Sequence, residues 1–273
     1  MRVQWLLQGN HSTLWNPDAI ATILRDQGCD VHIVALKGYS VAIPDTDALD
    51  CDRPVVCYGP SFVPRALKYP ELSPGIFFDA ATFRWSAFHG GWSDLMLSAG
   101  AVVIEAEEAV SQLGSRTMFV RPDEDSKAFD GGLFDAQSLK TVVTSAVEKG
   151  RISMDTPVVM AAAVPIDREW RIFMVNGQVV SASSYRSDGL GNMSLFVPYP
   201  VIDLALEAAG RWTPADVFCL DIACSGERYG IVEANCFNAS RFYGSDVSAV
   251  LGSVSSFASG TFEAREVPVV DKA

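Results

Sequence analysis

The stretch DIACSGERYGIVEAN, residues 221 to 235, reads as two apolar strands around a short turn, each carrying one carboxylate. With strands at 217–224 and 230–235 and a connection symmetric about Glu227, Asp221 stands opposite Glu233. Strand side chains alternate between faces, so Asn235 shares the face of Glu233. Two like charges directly opposed destabilise a sheet, and something must compensate them. A divalent cation does so, because magnesium prefers a few carboxylate oxygens completed by phosphate oxygens and water. Asn235 adds a neutral oxygen. The competing reading slips the register by one residue and turns both acids to solvent. The apolar neighbours Leu220, Ile222, Ile231 and Val232 argue for one buried face, which leaves the acid face open to solvent or to a site. A site is the favoured reading.

Basic residues elsewhere fit a phosphate ligand. Arg121 ends a strand, TMFVRP, before a loop that contains Lys127, Gly131 and Gly132. Glycines permit backbone approach and cations neutralise phosphate. Arg171 alternates with Glu169 and Phe173 in the strand EWRIFMV. A strand arginine of this kind also serves as a sheet-edge ion pair. The following Asn176-Gly177 is a strong hairpin signal. Its register sets Arg171 near Ala182 and Arg186 near Asp167, so an Arg186–Asp167 pair is a structural alternative for Arg186.

These residues belong to a chain of 273, long enough for two lobes or one large domain. About half the residues are apolar (49%), enough for a sizeable core. The net charge of −12 argues against a broad basic face for nucleic acid, while local basic pockets remain compatible with it. Six cysteines without a CxxC pair and three scattered histidines argue against zinc. Cys219 and Cys224, in an apolar strand, read as buried inert thiols, and the usage suits a reducing cytosol. No apolar run approaches the roughly 20 residues of a membrane span, so the expectation is a soluble, cytoplasmic protein.

The elements that must position the acids follow a simple order. Strands at 3–9, 30–36 and 54–59 alternate with helical text. Pro17 to Gln27 has Asn16 as cap and Gly28 beyond its end, which predicts a small parallel sheet. There is no GxGxxG. Residues 60 to 100 read as a loop-rich connection with aromatics (Trp85, His89, Trp92, and Tyr58 nearby) that fit ordinary core better than a pocket. A strand at 101–104 closes this part. A helix near 107–113, a strand at 117–122, a polar loop, a helix from Ala136 to Lys149 capped by Asp135, and a strand at 157–164 form a second unit over about 105–165. The NG hairpin, a helix from Pro198 to Ala209, the acid hairpin and a helix from Asp246 to Ala258 form a third.

In that order the pieces FVRP with its glycine-containing loop, VVMAAAVPIDREWRIFMVNGQVV, LDIA and VEAN resemble the ATP-grasp superfamily over about residues 75 to 245, most nearly small proteins related to the ribosomal-protein glutamate ligase. The resemblance implies α/β and α+β architecture. It divides the chain into an N-terminal α/β domain (1–104), a first lobe (105–165) and a second lobe with the metal site (166–273), the lobes enclosing ATP. It also implies roles. Asp221, Glu233 and Asn235 match the positions that hold magnesium, with manganese as an alternative. Arg171 matches the arginine that meets phosphate and the acyl-phosphate intermediate. Arg121 stands where the family usually has lysine, and Lys127 is a substitute for that ammonium. Met160, Ala161 and Ala162 match the hinge whose backbone meets adenine, and Glu169 and Arg186 join the nucleotide-binding set. Arg186 and Arg241 would meet an acidic substrate, and Arg84 lies near an earlier lysine position. The implied reaction is ATP-dependent joining of a carboxylate to an amine on small-molecule or peptide substrates, without nucleic acid or membrane. A phosphotransferase and a non-catalytic nucleotide-binding module are the competing readings. The identity of the substrates is not legible, and a homodimer stays open.

Overall fold

The computed structural model describes residues 2–10, 16–36, 48–50, 52–65, 69–124, 128–187 and 189–266. The first strands form a parallel sheet in which β1 (Gln4–Gln8) lies between β2 (Asp30–Val34) and β3 (Val55–Tyr58). The crossover helix α1 (Pro17–Asp26) starts where its cap directs: the Asn16 side chain accepts from the backbone N–H groups of Asp18 and Ala19 at 3.1 and 3.2 Å. Helix α2 (Trp85–Trp92) lies in the aromatic-rich connection. Tyr58 and Trp92 are fully buried core residues, as expected.

A second, antiparallel sheet contains β4 (Val102–Glu105), β5 (Met118–Pro122), β6 (Gly132–Phe134) and β7 (Pro157–Ala161) in the order β4-β7-β5-β6. Helices α3 (Ala106–Leu113) and α4 (Ala136–Glu148) cover it through Leu113, Leu139 and Val143, packed with Val120, Val158 and Met160. The Asp135 carboxylate caps α4, accepting from the Ser138 N–H at 2.7 Å. The strand at 101–104 thus pairs with β7, not with the N-terminal sheet. Strand β6 lies where a loop was expected.

The third sheet carries the acids. It runs β10-β9-β8-β11-β12, built from β8 (Arg168–Val175), β9 (Gln178–Ser187), β10 (Leu190–Ser194), β11 (Val217–Ser225) and β12 (Arg228–Cys236). Helices α5 (Tyr199–Arg211) and α6 (Val247–Glu266) cover opposite faces. Alternation decides which. Trp170, Ile172 and Met174 of β8, with Leu220 and Ile222 of β11, pack against Val201, Ala205 and Ala208 of α5. Phe173 and Val175, with Val217 and Cys219, pack against Val250, Leu251 and Val254 of α6 and against Trp5 of β1. The second face is therefore apolar at one end, while at the other end the same alternation presents Glu169, Arg171 and Asp221. Burial pushes the Cys219 thiol up to about 12, so it stays protonated and inert.

Two departures concern this sheet. Strand β10 follows β9 where no strand was read, and α6 runs eight residues past the expected end at Ala258. Among the described residues no helix is long and apolar enough to cross a membrane.

Candidate active site

Asp221 and Glu233 do stand opposite each other, but not because the turn is symmetric about Glu227. Ser225 pairs with Arg228 across a two-residue turn at Gly226-Glu227, a register that alone would set Asp221 against Val232. A bulge at Val232 inserts one residue and brings Glu233 opposite Asp221. On the other side Asp221 pairs with Arg171 of β8.

Arginines, not open solvent, meet these acids. Arg171 donates to Asp221 through Nε and Nη2 at 2.9 and 2.7 Å, a bidentate fork with both groups buried. Arg121, from β5 of the other sheet, donates to Glu233 at 2.5 Å. The Asn235 amide bridges the acids, donating to Asp221 at 3.0 Å and to Glu233 at 3.3 Å. It thus presents N–H, where an oxygen ligand was expected. Gly131 lets the loop before β6 lie on Arg121, since a Cβ there would come within 3.0 Å of the Arg121 Cβ.

Burial acts on both carboxyls and pushes them up. For Asp221 burial prevails over the Arg171 guanidinium, and the carboxyl sits above its ordinary range. For Glu233 the Arg121 guanidinium and the Asn235 amide prevail, and it sits below.

The NG hairpin departs from its expected register. A bulge at Val180 shifts β9 by one residue, so Arg171 pairs with Ser183, and a second at Tyr185 shifts it by one more, so Arg186 pairs with Glu169. The expected Arg186–Asp167 pair is replaced by Arg186–Glu169 at 2.9 Å, and Asp167 instead accepts from the Gly226 N–H. The second bulge has a further result: the consecutive Tyr185 and Arg186 both reach Glu169, and both line the same cleft. Tyr185 stacks on Tyr243 with centroids 4.6 Å apart, and the Arg171 guanidinium lies 5.1 Å from the Tyr243 ring centroid. Tyr243 holds the left-handed φ of 51°, uncommon for a bulky residue.

The cleft encloses about 670 Å³ between the two antiparallel sheets. It gathers Arg121, Glu169, Arg171, Arg186, Asp221 and Glu233, with Asn235 and Arg241. Beside it lies a smaller, mainly apolar slot of about 190 Å³, lined by Ala161, Ala162, Val164, Trp85, Leu97 and Phe119. Arg121, Phe119, Ile166 and Val232 border both. Met160 is packed in the core behind the slot, and sheet pairing of β7 ends at Ala161. Arg84 is tied to Asp123 and Glu124 and does not line either space. Lys127 lies outside the described residues. Tyr185 and Tyr243 were not anticipated, because no residue pattern marks a bulge or a left-handed tyrosine.

Residues 101–252, more than half of the chain, match the ATP-grasp domain, R2K clade family 2. The chain belongs to this family. Its fold is the ATP-grasp fold, shared with solved structures of low identity. A RimK domain protein ATP-grasp from Sphaerobacter thermophilus is 15% identical, with a TM-score of 0.62 over 93% of this chain and 99% of that one. D-alanine--D-alanine ligase from Bacillus anthracis, complexed with ATP, is 13% identical, with a TM-score of 0.62 over 97% and 99%. The ATP-grasp ligase PsnB, complexed with a minimal precursor, is 13% identical, with a TM-score of 0.58 over 94% and 98%. No curated protein matches the chain.

Proposed function

We propose that this ATP-grasp protein is an ATP-dependent ligase that joins a carboxylate to an amine through an acyl phosphate, releasing ADP and phosphate. The observation that carries this reading is the cleft itself: Arg171, Asp221, Glu233 and Asn235 of one sheet face Arg121 of another, beside an apolar slot. Family membership supports it, as do the ligase names of the structural neighbours.

The slot suits adenine, with mainly apolar walls and a backbone that leaves the sheet after Ala161. Arg121 is then placed for the phosphates. The acids fit magnesium by donor chemistry, as adjacent hard oxygen ligands. Among the described residues no group of three or more His, Cys, Asp or Glu side chains is arranged to hold an ion. Asp221 and Glu233 would therefore share it with phosphate and water, and Asn235 would join them through Oδ1 once its amide turned its N–H away from the acids; bound there the ion would offset charge on the transferring phosphoryl group, and manganese has the same ligand preference.

The substrate carboxylate attacks the γ-phosphorus, and the bond to the ADP oxygen breaks with its electron pair leaving on ADP. The amine nitrogen then attacks the acyl carbon, the C–O bond to phosphate breaks, and the ammonium proton passes to solvent. Arg171 uses Nε and Nη2 on Asp221, which leaves Nη1 to meet the developing charge. Such chemistry demands positioning and charge neutralisation more than a protein nucleophile.

The test is ADP release with a panel of amino acids and short peptides, with products read by mass spectrometry. An amide with free phosphate is expected. Unchanged ATP turnover in Asp221→Asn and Glu233→Gln would remove the assigned metal site. A phosphorylated product would make the protein a phosphotransferase, and ATP-dependent thermal stabilisation without turnover would make it a binding module.

A further inference from the structure

Large exposed apolar residues are concentrated in one place. Leu190, Met193, Leu195, Phe196 and Tyr199 are 65% to 85% exposed, more than any other large apolar side chain among the described residues. Single exposed apolar residues are ordinary; five within ten positions are not. They lie along β10 and the segment that leads into α5. Strand β10 is the end of its sheet, so its outer edge presents backbone N–H and C=O groups for pairing. All five of its residues are exposed.

This edge adjoins the cleft. Gly191 pairs with Arg186, whose side chain lines the cleft. Met193 lies on the same face as Ser183, the cross-strand partner of Arg171, and its Cβ would be 3.9 Å from a Cβ on Gly244, just after Tyr243. On the other side of the strand the Phe196 carbonyl accepts from the Trp170 indole at 3.2 Å, which fixes the root of the segment. Where the edge meets the cleft, charge is positive. Arg186 is half exposed beside its Glu169 partner, and Arg241, also exposed, lines the cleft without an ion-pair partner among the described residues.

We propose that the open edge of β10 docks an extended peptide, which adds as a further strand and passes its carboxylate over Arg186 and Arg241 into the cleft. This deepens the ligase reading and rests on it for the fate of the carboxylate. A strand-like peptide places alternate side chains on the two faces of the edge, toward Met193 on the cleft face and toward Leu190 on the other, with Leu195 and Phe196 just past the strand's end. Backbone pairing supplies affinity, the apolar rim selects large apolar residues, and the guanidiniums select an acidic end. A second copy of the chain fits less well. A two-fold interface brings the same patch onto itself, and here it would oppose like guanidiniums and block the cleft mouth.

The test uses the full chain and a mixed hexapeptide library with a C-terminal glutamate, offered with and without ATP and magnesium, with captured peptides sequenced by mass spectrometry. Enrichment of large apolar residues at alternating positions is expected. Leu195→Ser/Phe196→Ser should lower capture at least tenfold, with the thermal midpoint kept near wild type, and Arg241→Gln should erase the preference for the acidic end over its amide. A captured pool with the composition of the library, or capture unaffected by the double substitution, overturns the proposal. So does a light-scattering shift from dimer to monomer in that variant with capture unchanged, which would give the edge to a second copy. The two readings fail separately. Turnover of free amino acids with no peptide enrichment leaves the ligase without this docking edge; peptide capture with no ADP release from any acceptor leaves the edge and removes the ligase.

Discussion

Two arginine–carboxylate pairs converge on one hairpin, and they are built differently. Arg171 and Asp221 sit on neighbouring strands of one sheet, 9% and 3% exposed, and share two hydrogen bonds. Arg121 and Glu233 come from different sheets, 17% and 26% exposed, and share one ion-pair contact. The first pair is desolvated and locked by backbone pairing on both sides of Asp221. The second spans the cleft, and each partner has a replacement available in the proposed reaction: phosphate for Arg121, a cation for Glu233. The contrast separates a pair that holds geometry from a pair that can be exchanged for ligand.

The largest effect should come from breaking the fixed pair. Arg171→Met leaves the Asp221 carboxylate buried and uncompensated, a loss on the order of 3–5 kcal/mol by chemical denaturation, with ATP turnover abolished. Adding Asp221→Leu should recover most of the stability and none of the turnover. If the single substitution costs less than about 1 kcal/mol, the pair is not the fixed one.

Glu233→Gln should give the opposite profile. Stability should change by about 1 kcal/mol or less, because a partly wet single contact is worth little. Turnover should fall by roughly 100-fold, as on loss of one electrostatic contact to a transition state. Turnover within a few-fold of wild type would reduce Glu233 to an ion-pair partner and collapse the contrast.

Acid should separate the pairs by sign. The Glu233 carboxyl is held below its ordinary range, so its contribution is present above the unfolded-state value and is lost as pH falls through the folded one. Asp221 is held above its range by burial, so the folded state takes up its proton more readily and its effect on stability runs the other way. In denaturation series across the acid range, Glu233→Gln should lose stability on acidification less steeply than wild type, and Asp221→Asn more steeply. Parallel curves would mean that the two acids share one environment.

Much of this was legible in the residues, unevenly. Helices announced by caps were read to within one residue of their bounds: Asn16 and Gly28 around α1, Asp135 and Gly150 around α4. Strands β6 and β10 were missed because they are short, contain glycine and lie at sheet edges, where no apolar alternation is required. Register was legible only by cancellation in one hairpin. The two-residue turn and the bulge at Val232 offset each other, so Asp221 met Glu233 after all. In the NG hairpin two bulges added, and Arg186 met Glu169 in place of Asp167. A bulge changes which residues face each other without changing which residue types appear, so pairing far from a turn is hard to read from sequence.

The smallest effect sharpens the comparison at the fixed pair. The Tyr185 hydroxyl donates to Glu169 and lies 3.5 Å from Asp221, while its ring stacks on Tyr243. Burial pushes the phenol up, so it remains a donor at any working pH. Tyr185→Phe removes that donor and keeps the stack, at a cost of about 1 kcal/mol. It touches nothing of Arg121 or Glu233, so the steepness of acid denaturation attributed to Glu233 should be unchanged, and turnover should fall only a few-fold through looser placement of Arg171. Tyr185→Leu loses the stack as well and should cost more. A Tyr185→Phe variant as inactive as Arg171→Met would instead place the hydroxyl in contact with the reacting atoms, and the fixed pair would have a third essential member.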